Sequence, residues 1–335
     1  MATVFVSHPS DKLDTYFGGL AAAALQCFAE IRLNPHARDL STAELIVAAQ
    51  GCDALIAYRQ TPAPQALFTA LPDLVVLLRC AVDIRTIDVE AASAHGVLVT
   101  RASAGYGPAV SEWVLGAMID LARGITLQAS AYRGGEVPMP AIGRELRYAT
   151  LGIIGFGLIG QGVAALALAF GMRLLVTTPQ PVDEHVAVQQ VPLATLLARS
   201  DFVVCLAPAD AQTESMMNAQ AFAAMKQGAF FINASRGELV DDAALLAALD
   251  SGRLGGCALD VGRGPDQTPA AALARHPRVI ATAHIGGLTR PACEHQALET
   301  VEQLRQLLHG DLPRGAVNAA QATRLQRWGH AVVLP

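Results

Sequence analysis

The chain has 335 residues, of which 52% are hydrophobic and 16% charged, with a formal net charge of −5. That is enough apolar material for two cores rather than one. The acidic balance and the lack of any basic block exclude the electrostatic footprint of a nucleic-acid binder or of a protein held on an anionic membrane.

The first ten residues contain no basic segment followed by a long apolar core, so no signal peptide is expected. Elsewhere Gly, Pro or charge interrupts every apolar run before about 18 residues, which argues against a transmembrane helix and for a soluble, cytoplasmic protein. The six cysteines (Cys27, Cys52, Cys80, Cys205, Cys257, Cys293) are scattered without a CxxC pair and read as small buried thiols, so no metal site is expected.

The first hundred residues alternate. Thr3–Val6, Ala54–Ala57, Leu74–Leu78 and Val97–Val99 are short apolar runs, and the intervening Ala-rich stretches Gly19–Glu30 and Ser41–Ala49 have helical length. This predicts a parallel sheet with helices on both faces. Ligands of such sheets lie beyond the carboxyl ends of the strands, which singles out Tyr58–Arg59–Gln60 and Arg79–Cys80–Ala81–Val82–Asp83. Arg59 and Arg79 have the fork geometry to hold a substrate anion, the alternative for each being a solvated arginine or a structural ion pair. After a Gly- and Ser-rich connection, a helix is expected from Pro108 to Arg123. Its apolar surface, Val114, Met118 and Leu121 beside Leu115, Ile119 and Ala122, is wide enough for burial against a second subunit or a neighbouring domain.

Next comes LGIIGFGLIG, Leu151–Gly160. An apolar strand stops at Gly155, Gly157 and Gly160, spaced GxGxxG, and a helical stretch follows from Val163 to Phe170. In a strand-turn-helix of this kind the first glycine makes the turn, the second admits a pyrophosphate to bare backbone, and the third lets helix and strand pack closely. Helix-start N–H groups then hold the phosphates, so Phe156, Leu158 and Ile159 join the glycines as expected cofactor contacts. A second α/β series follows, with strands at Met172–Val176, Phe202–Leu206, Phe230–Asn233, Gly256–Asp260 and Val279–Ala281. Helices at Leu193–Arg199, Ala219–Met225 and Asp242–Leu249 fill the gaps, and a closing helix spans Glu294–His309. The reading is α/β with two doubly wound parallel-sheet domains. A Rossmann dinucleotide-binding domain (102–292) is inserted into a flavodoxin-like substrate domain (1–101 and 293–335).

The acid that usually holds the adenosine ribose is missing. Thr177, Thr178, Pro179 and Gln180 stand at that strand end, with Asp183 and Glu184 a little further on. NAD or NADP is therefore expected, with NAD favoured and Thr177 and Thr178 as contacts. The reactive groups come from the last strands: Arg236 in INASRG, Asp260 and Asp266 in LDVGRGPD, and His284 in ATAHIGG. Carbonyl reduction by hydride needs a proton donor of near-neutral pKa, which suits His284, and positive charge on the developing alkoxide, which Arg236 supplies. A carboxylate beside the histidine would fix its tautomer; at Asp260 a simple turn cap is an equal reading.

Six segments together resemble the D-isomer-specific 2-hydroxyacid dehydrogenases: RCAVDIRTID (79–88), VSEWVLGAMIDLAR (110–123), GRELRYATLGIIGFGLIG (143–160), MKQGAFFINASRGELVD (225–241), CALDV (257–261) and HIGG (284–287). The resemblance implies a homodimer whose contact involves Pro108–Arg123, and a cleft between a cofactor domain and a discontinuous substrate domain. It implies that Arg236 binds the substrate carboxylate and carbonyl, with His284 as general acid and base and Asp266 as its carboxylate partner. Asp260 would contact the nicotinamide carboxamide, and Pro208, Ala234, Ser235, Gly286 and Gly287 would line the cofactor. The backbone of Ala81, Val82 and Asp83, together with Arg59, would receive a small 2-hydroxy or 2-oxo acid. Three departures stand out: the family's glutamate before a proline is absent from Gly262–Asp266, Ala81 and Asp83 replace glycines, and Thr178 replaces the ribose aspartate. The alternatives are a non-catalytic dinucleotide-responsive binding protein and an enzyme oxidising another small anion such as formate or phosphite.

Overall fold

A computed structural model describes residues 1–183 and 187–330, and the chain divides into two compact units, Met1–Tyr106 with Arg290–Pro335, and Gly107–Thr289. The first unit holds a five-stranded parallel sheet of β1 (Ala2–Val6), β2 (Ala29–Leu33), β3 (Ala54–Ala57), β4 (Val76–Arg79) and β5 (Leu98–Arg101), in the order β2-β1-β3-β4-β5. That is the flavodoxin-like order, whose switch point lies between β1 and β3. One face is covered by Phe17, Ala21 and Leu25 from the amino-terminal helices and by Ala297, Val301, Leu304 and Leu307 from the helix Arg290–Leu308. Leu45, Leu67, Phe68 and Ala92 cover the other.

The expected helix Gly19–Glu30 ends early. It spans Gly18–Gln26, and β2 begins at Ala29. The segment AEIRL alternates small or apolar residues with charged ones, the period of an edge strand, so the helical reading carried Ala29 and Glu30 too far.

The second unit is a seven-stranded parallel sheet made from β6 (Thr150–Ile154), β7 (Arg173–Thr177), β8 (Gln189–Gln190), β9 (Phe202–Cys205), β10 (Ala229–Asn233), β11 (Leu254–Leu259) and β12 (Val279–Ala281). Its order, β12-β11-β10-β9-β6-β7-β8, is the dinucleotide-binding order with one added strand, and the direction of winding reverses between β6 and β9. Every pairing is parallel, so the segments following β6, β9, β10, β11 and β12 all emerge at one edge.

Five cysteines are buried, while Cys27 is exposed. Among the described residues no helix is long and apolar enough to cross a membrane, and no cluster of His, Cys, Asp or Glu could hold a metal.

Candidate active site

The glycine turn sits between buried β6 and the helix Leu158–Ala169. Gly155 has φ +92°, and a Cβ there would lie 2.7 Å from the amide nitrogen of Ala207. A Cβ on Gly160 would lie 2.5 Å from the Gly155 carbonyl oxygen, whereas one on Gly157 would enter open space. The first and third positions thus exclude side chains by conformation and packing, and the second leaves backbone exposed for a ligand. Phe156 and Gly157 donate no backbone hydrogen bond among the described residues, and the first-turn amides of the helix point the same way. These residues fit a dinucleotide pyrophosphate.

At the end of β7 the two threonines differ. The Thr177 hydroxyl donates to the Val191 carbonyl at 2.7 Å, tying β7 to the next segment, while the Thr178 hydroxyl makes no hydrogen bond among the described residues. The loop is shaped by Gln190, a residue sequence reasoning passed over. Its amide nitrogen reaches the carbonyls of Thr178 and Gln180 at 2.9 and 3.1 Å, and its oxygen accepts from the Val182 amide at 3.0 Å. Asp183 is exposed. Glu184 and His185 lie outside the described residues.

Arg236 follows β10 on a turn built by Asn233. That side chain is buried, donates to the Arg236 carbonyl at 2.9 Å and accepts from the Ser235 amide at 3.1 Å. The Ser235 hydroxyl donates to the Ala207 carbonyl, and Ala207 and Pro208 lie just beyond β9. Ala234 is buried, and a Cβ on Gly237 would overlap the backbone of Gly262, so the loops after β10 and β11 cross in direct contact. The Arg236 guanidinium is half-buried and donates to the Ser235 carbonyl at 2.7 Å.

Asp260 ends β11 and is only 3% exposed. Its carboxylate accepts from the Thr282 hydroxyl at 2.7 Å, the Ile285 amide at 2.8 Å and the Gly286 amide at 2.8 Å. These three bonds bracket His284. Gly286 must lack a side chain, since its Cβ would lie 2.7 Å from the Asp260 oxygen that its amide meets. His284 is held with φ +56°, a left-handed conformation that costs a non-glycine residue about 1–3 kcal/mol and persists where its surroundings fix it. Asp260 thus caps the turn that carries His284.

Asp266 reaches His284 through its main chain: the imidazole Nδ1 lies 3.2 Å from the Asp266 carbonyl oxygen. A carbonyl can only accept, so Nδ1 carries the proton in this bond and Nε2 is the nitrogen left to exchange one. Asp266 and Gln267 also have positive φ, +53° and +59°, at the tip of a loop closed by Gly262 N–H to Gln267 O at 2.7 Å and Gly264 N–H to Thr268 O at 2.8 Å. A Cβ on Gly264 would fall 2.7 Å from the Thr268 carbonyl oxygen.

The first unit presents the remaining predicted residues. Arg79 is fully buried and uses its fork on the Tyr58 carbonyl (2.5 Å), the Thr61 carbonyl and the Thr86 hydroxyl (both 2.8 Å), so it is a structural clamp rather than an anion receptor. Burial pushes its pKa down to about 10. The Arg59 guanidinium lies over the Tyr16 ring, 5.7 Å from its centroid. Asp83 is bound by Arg85, whose Nε and Nη2 reach its carboxylate at 3.0 and 2.8 Å. That pair offsets the negative charge that Asp83 presents. The amides of Ala81 and Val82 donate no hydrogen bond among the described residues, leaving two consecutive N–H groups available to an anion.

The family model for the D-isomer specific 2-hydroxyacid dehydrogenase NAD binding domain matches residues 115–286. The (S)-sulfolactate dehydrogenase of Chromohalobacter salexigens is 35% identical over 79% of this chain and 88% of its own length. The D-3-phosphoglycerate dehydrogenase of Rattus norvegicus is 34% identical over 85% of this chain but 54% of its own, so the chain spans about half the length of that relative. Among solved structures, the D-lactate dehydrogenase of Escherichia coli superposes with a TM-score of 0.83 at 25% identity, covering 95% of this chain and all of that one.

Proposed function

The chain belongs to the D-isomer specific 2-hydroxyacid dehydrogenase family, and from that premise we propose that it interconverts a small D-2-hydroxy acid and its 2-oxo acid with NAD or NADP. The observation that carries this reading is the His284 turn: an imidazole whose Nδ1 proton is held by a carbonyl, on the sheet edge that also bears the glycine turn. A bound nicotinamide dinucleotide supplies the hydride. Gly155 to Gly160 and the amides around them hold its pyrophosphate, with Thr178 nearest the expected ribose position. Pro208, Ala234, Ser235, Gly286 and Gly287 lie on the loops after β9, β10 and β12 and are assigned to the same cofactor.

Arg236 binds the acid and polarises its C2 carbonyl, stabilising negative charge as it develops on the oxygen. His284 gives its Nε2 proton to that oxygen in reduction and takes it back in oxidation. Asp266 fixes the tautomer through its main-chain carbonyl, and Asp260 holds the turn from below. In the first unit, Arg59 and the amides of Ala81 and Val82 are the groups assigned to an anion, and Arg85 offsets the charge of Asp83. The names of the relatives favour 2-hydroxy acids bearing a second anionic group, sulfolactate and 3-phosphoglycerate among them. A cytoplasmic homodimer is part of the same proposal.

His284→Gln removes the titratable nitrogen while keeping the size of the side chain. Turnover of a panel of 2-oxo acids should drop by a factor on the order of 10²–10⁴, with the NADH dissociation constant within a few-fold of wild type. Wild-type turnover in the variant would overturn the assignment of His284. Cofactor binding without turnover of any 2-oxo acid by the wild-type protein would overturn the enzymatic reading.

A further inference from the structure

At the opposite edge of the seven-stranded sheet, where β6 and β7 begin, lies an open cavity of about 440 Å³. Arg173 enters it from the start of β7, Arg199 from the last turn of the helix Leu193–Arg199, and Lys226 from the turn before β10. Gln189 and Thr150 add an amide and a hydroxyl, and Leu174, Leu175 and Ala198 complete the lining. Three cations from three elements thus converge in a chain whose net charge is −5 and which contains only two lysines.

Most of the hydrogen-bonding capacity in this cavity is uncommitted. Arg199 makes no hydrogen bond or ion pair among the described residues, and the Gln189 amide and Thr150 hydroxyl make none either. Arg173 uses one of its five donors, to the Tyr148 carbonyl at 2.8 Å. Lys226 meets Asp201 at 2.9 Å, and that carboxylate also accepts from the Thr150 amide at 2.8 Å. Asp201 is the one acid joined to the cluster among the described residues, and it offsets one of the three positive charges. Guanidinium groups match oxyanions in shape, and the volume falls within the roughly 300–1,000 Å³ of small-ligand sites.

We infer that this cavity is a second ligand site, separate from the dinucleotide edge, that takes a doubly charged oxyanion: inorganic phosphate or the phosphate of a small phosphomonoester. Arg173 and Arg199 grip the phosphate oxygens, Lys226 adds long-range charge, and Gln189 and Thr150 orient what is attached.

The test is calorimetric titration with inorganic phosphate, pyrophosphate and AMP at constant ionic strength, with NADH saturating so that the glycine turn is closed to phosphate. The expected result is saturable binding that weakens at least roughly tenfold in the Arg173→Gln/Arg199→Gln double variant. Both arginines are exposed, so folding should persist, as circular dichroism will show. Tighter AMP than phosphate would assign the site to an organic phosphomonoester, and equal affinity to free phosphate. Absence of saturation by 10 mM ligand, roughly the range of nonspecific ion association, or binding unchanged in the double variant, would overturn the proposal. If NADH itself does not bind, the same titrations without it still decide the question, because neither arginine lies on the glycine-turn edge.

Discussion

His8 follows β1 and is 1% exposed, packed between the rings of Phe17 and Tyr58 with centroids 5.3 and 5.1 Å away, and neither of its ring nitrogens has a hydrogen-bond partner among the described residues. Burial, with the charge of Arg79 as a lesser cause, lowers its pKa from 6.5 to about 3. Between those values the unfolded chain binds a proton that the folded chain does not. Stability therefore falls as the pH drops below 6.5, by up to about 1.4 kcal/mol per pH unit, and is unaffected by this group above it. His8→Leu should remove that slope and, by deleting unpartnered polar atoms, raise stability by ~1 kcal/mol at neutral pH. Urea unfolding at pH 7.5 and 5 checks this; an equal acid loss in variant and wild type would show that His8 is not the titrating group.

At the scale of elements, the GxGxxG turn illustrates how local sequence dictates a site. Gly160→Ala places a Cβ 2.5 Å from the Gly155 carbonyl, so strand and helix must separate. The expected outcome is a loss of about 1–3 kcal/mol of stability and NADH binding weakened on the order of tenfold. Gly157→Ala, whose Cβ meets open space, should fold normally and lose cofactor affinity alone; tight NADH binding by both variants would refute the cradle. Strands carrying continuous apolar runs, such as ALIA at β3 and FVVC at β9, were legible because burial on both faces leaves no other reading. The placement of Arg236 and His284 just past β10 and β12 was legible too, since each follows such a run. What was not legible depended on contacts far along the chain. Nothing local reveals that Asp260 would bracket His284 from 22 to 26 residues away, that Asp266 would offer its carbonyl, or that Arg79 would turn its fork onto Tyr58 and Thr61. The two-residue strand β8 is too short to carry a periodic signal.

For the whole molecule, the helix expected to form a subunit contact turns much of its apolar surface inward. Val110, Val114, Ala117, Met118 and Ala122 on the helix Gly107–Arg123 are buried within their own unit, beside the helix Leu158–Ala169, where Ser111 Oγ approaches the Ile159 carbonyl at 3.3 Å. The exposed apolar residues follow instead: Ile125, Leu127 and Tyr132 on the helix Ile125–Arg133, then Val137, Met139 and Ile142. Exposed apolar residues following one another in this segment make it the surface to test for self-association. For the proposed homodimer, Leu127→Lys/Met139→Lys should shift the mass measured by light scattering from dimer toward monomer. A wild-type monomer, or a variant dimer of unchanged stability, would remove this surface from the assembly.

The discontinuity of the first unit matters most while the protein is being made. One face of its sheet is finished by Ala297, Val301, Leu304 and Leu307, which leave the ribosome only after residues 107–289 have been synthesised. At about 5–20 residues per second, the amino-terminal strands wait on the order of ten seconds or more with that face only part covered, by Phe17, Ala21 and Leu25. The inserted unit has all of its strands in one stretch of chain and can close first. The inserted unit can therefore be complete before the unit whose strands precede it in the chain, and over that interval part of an apolar sheet face has no cover of its own.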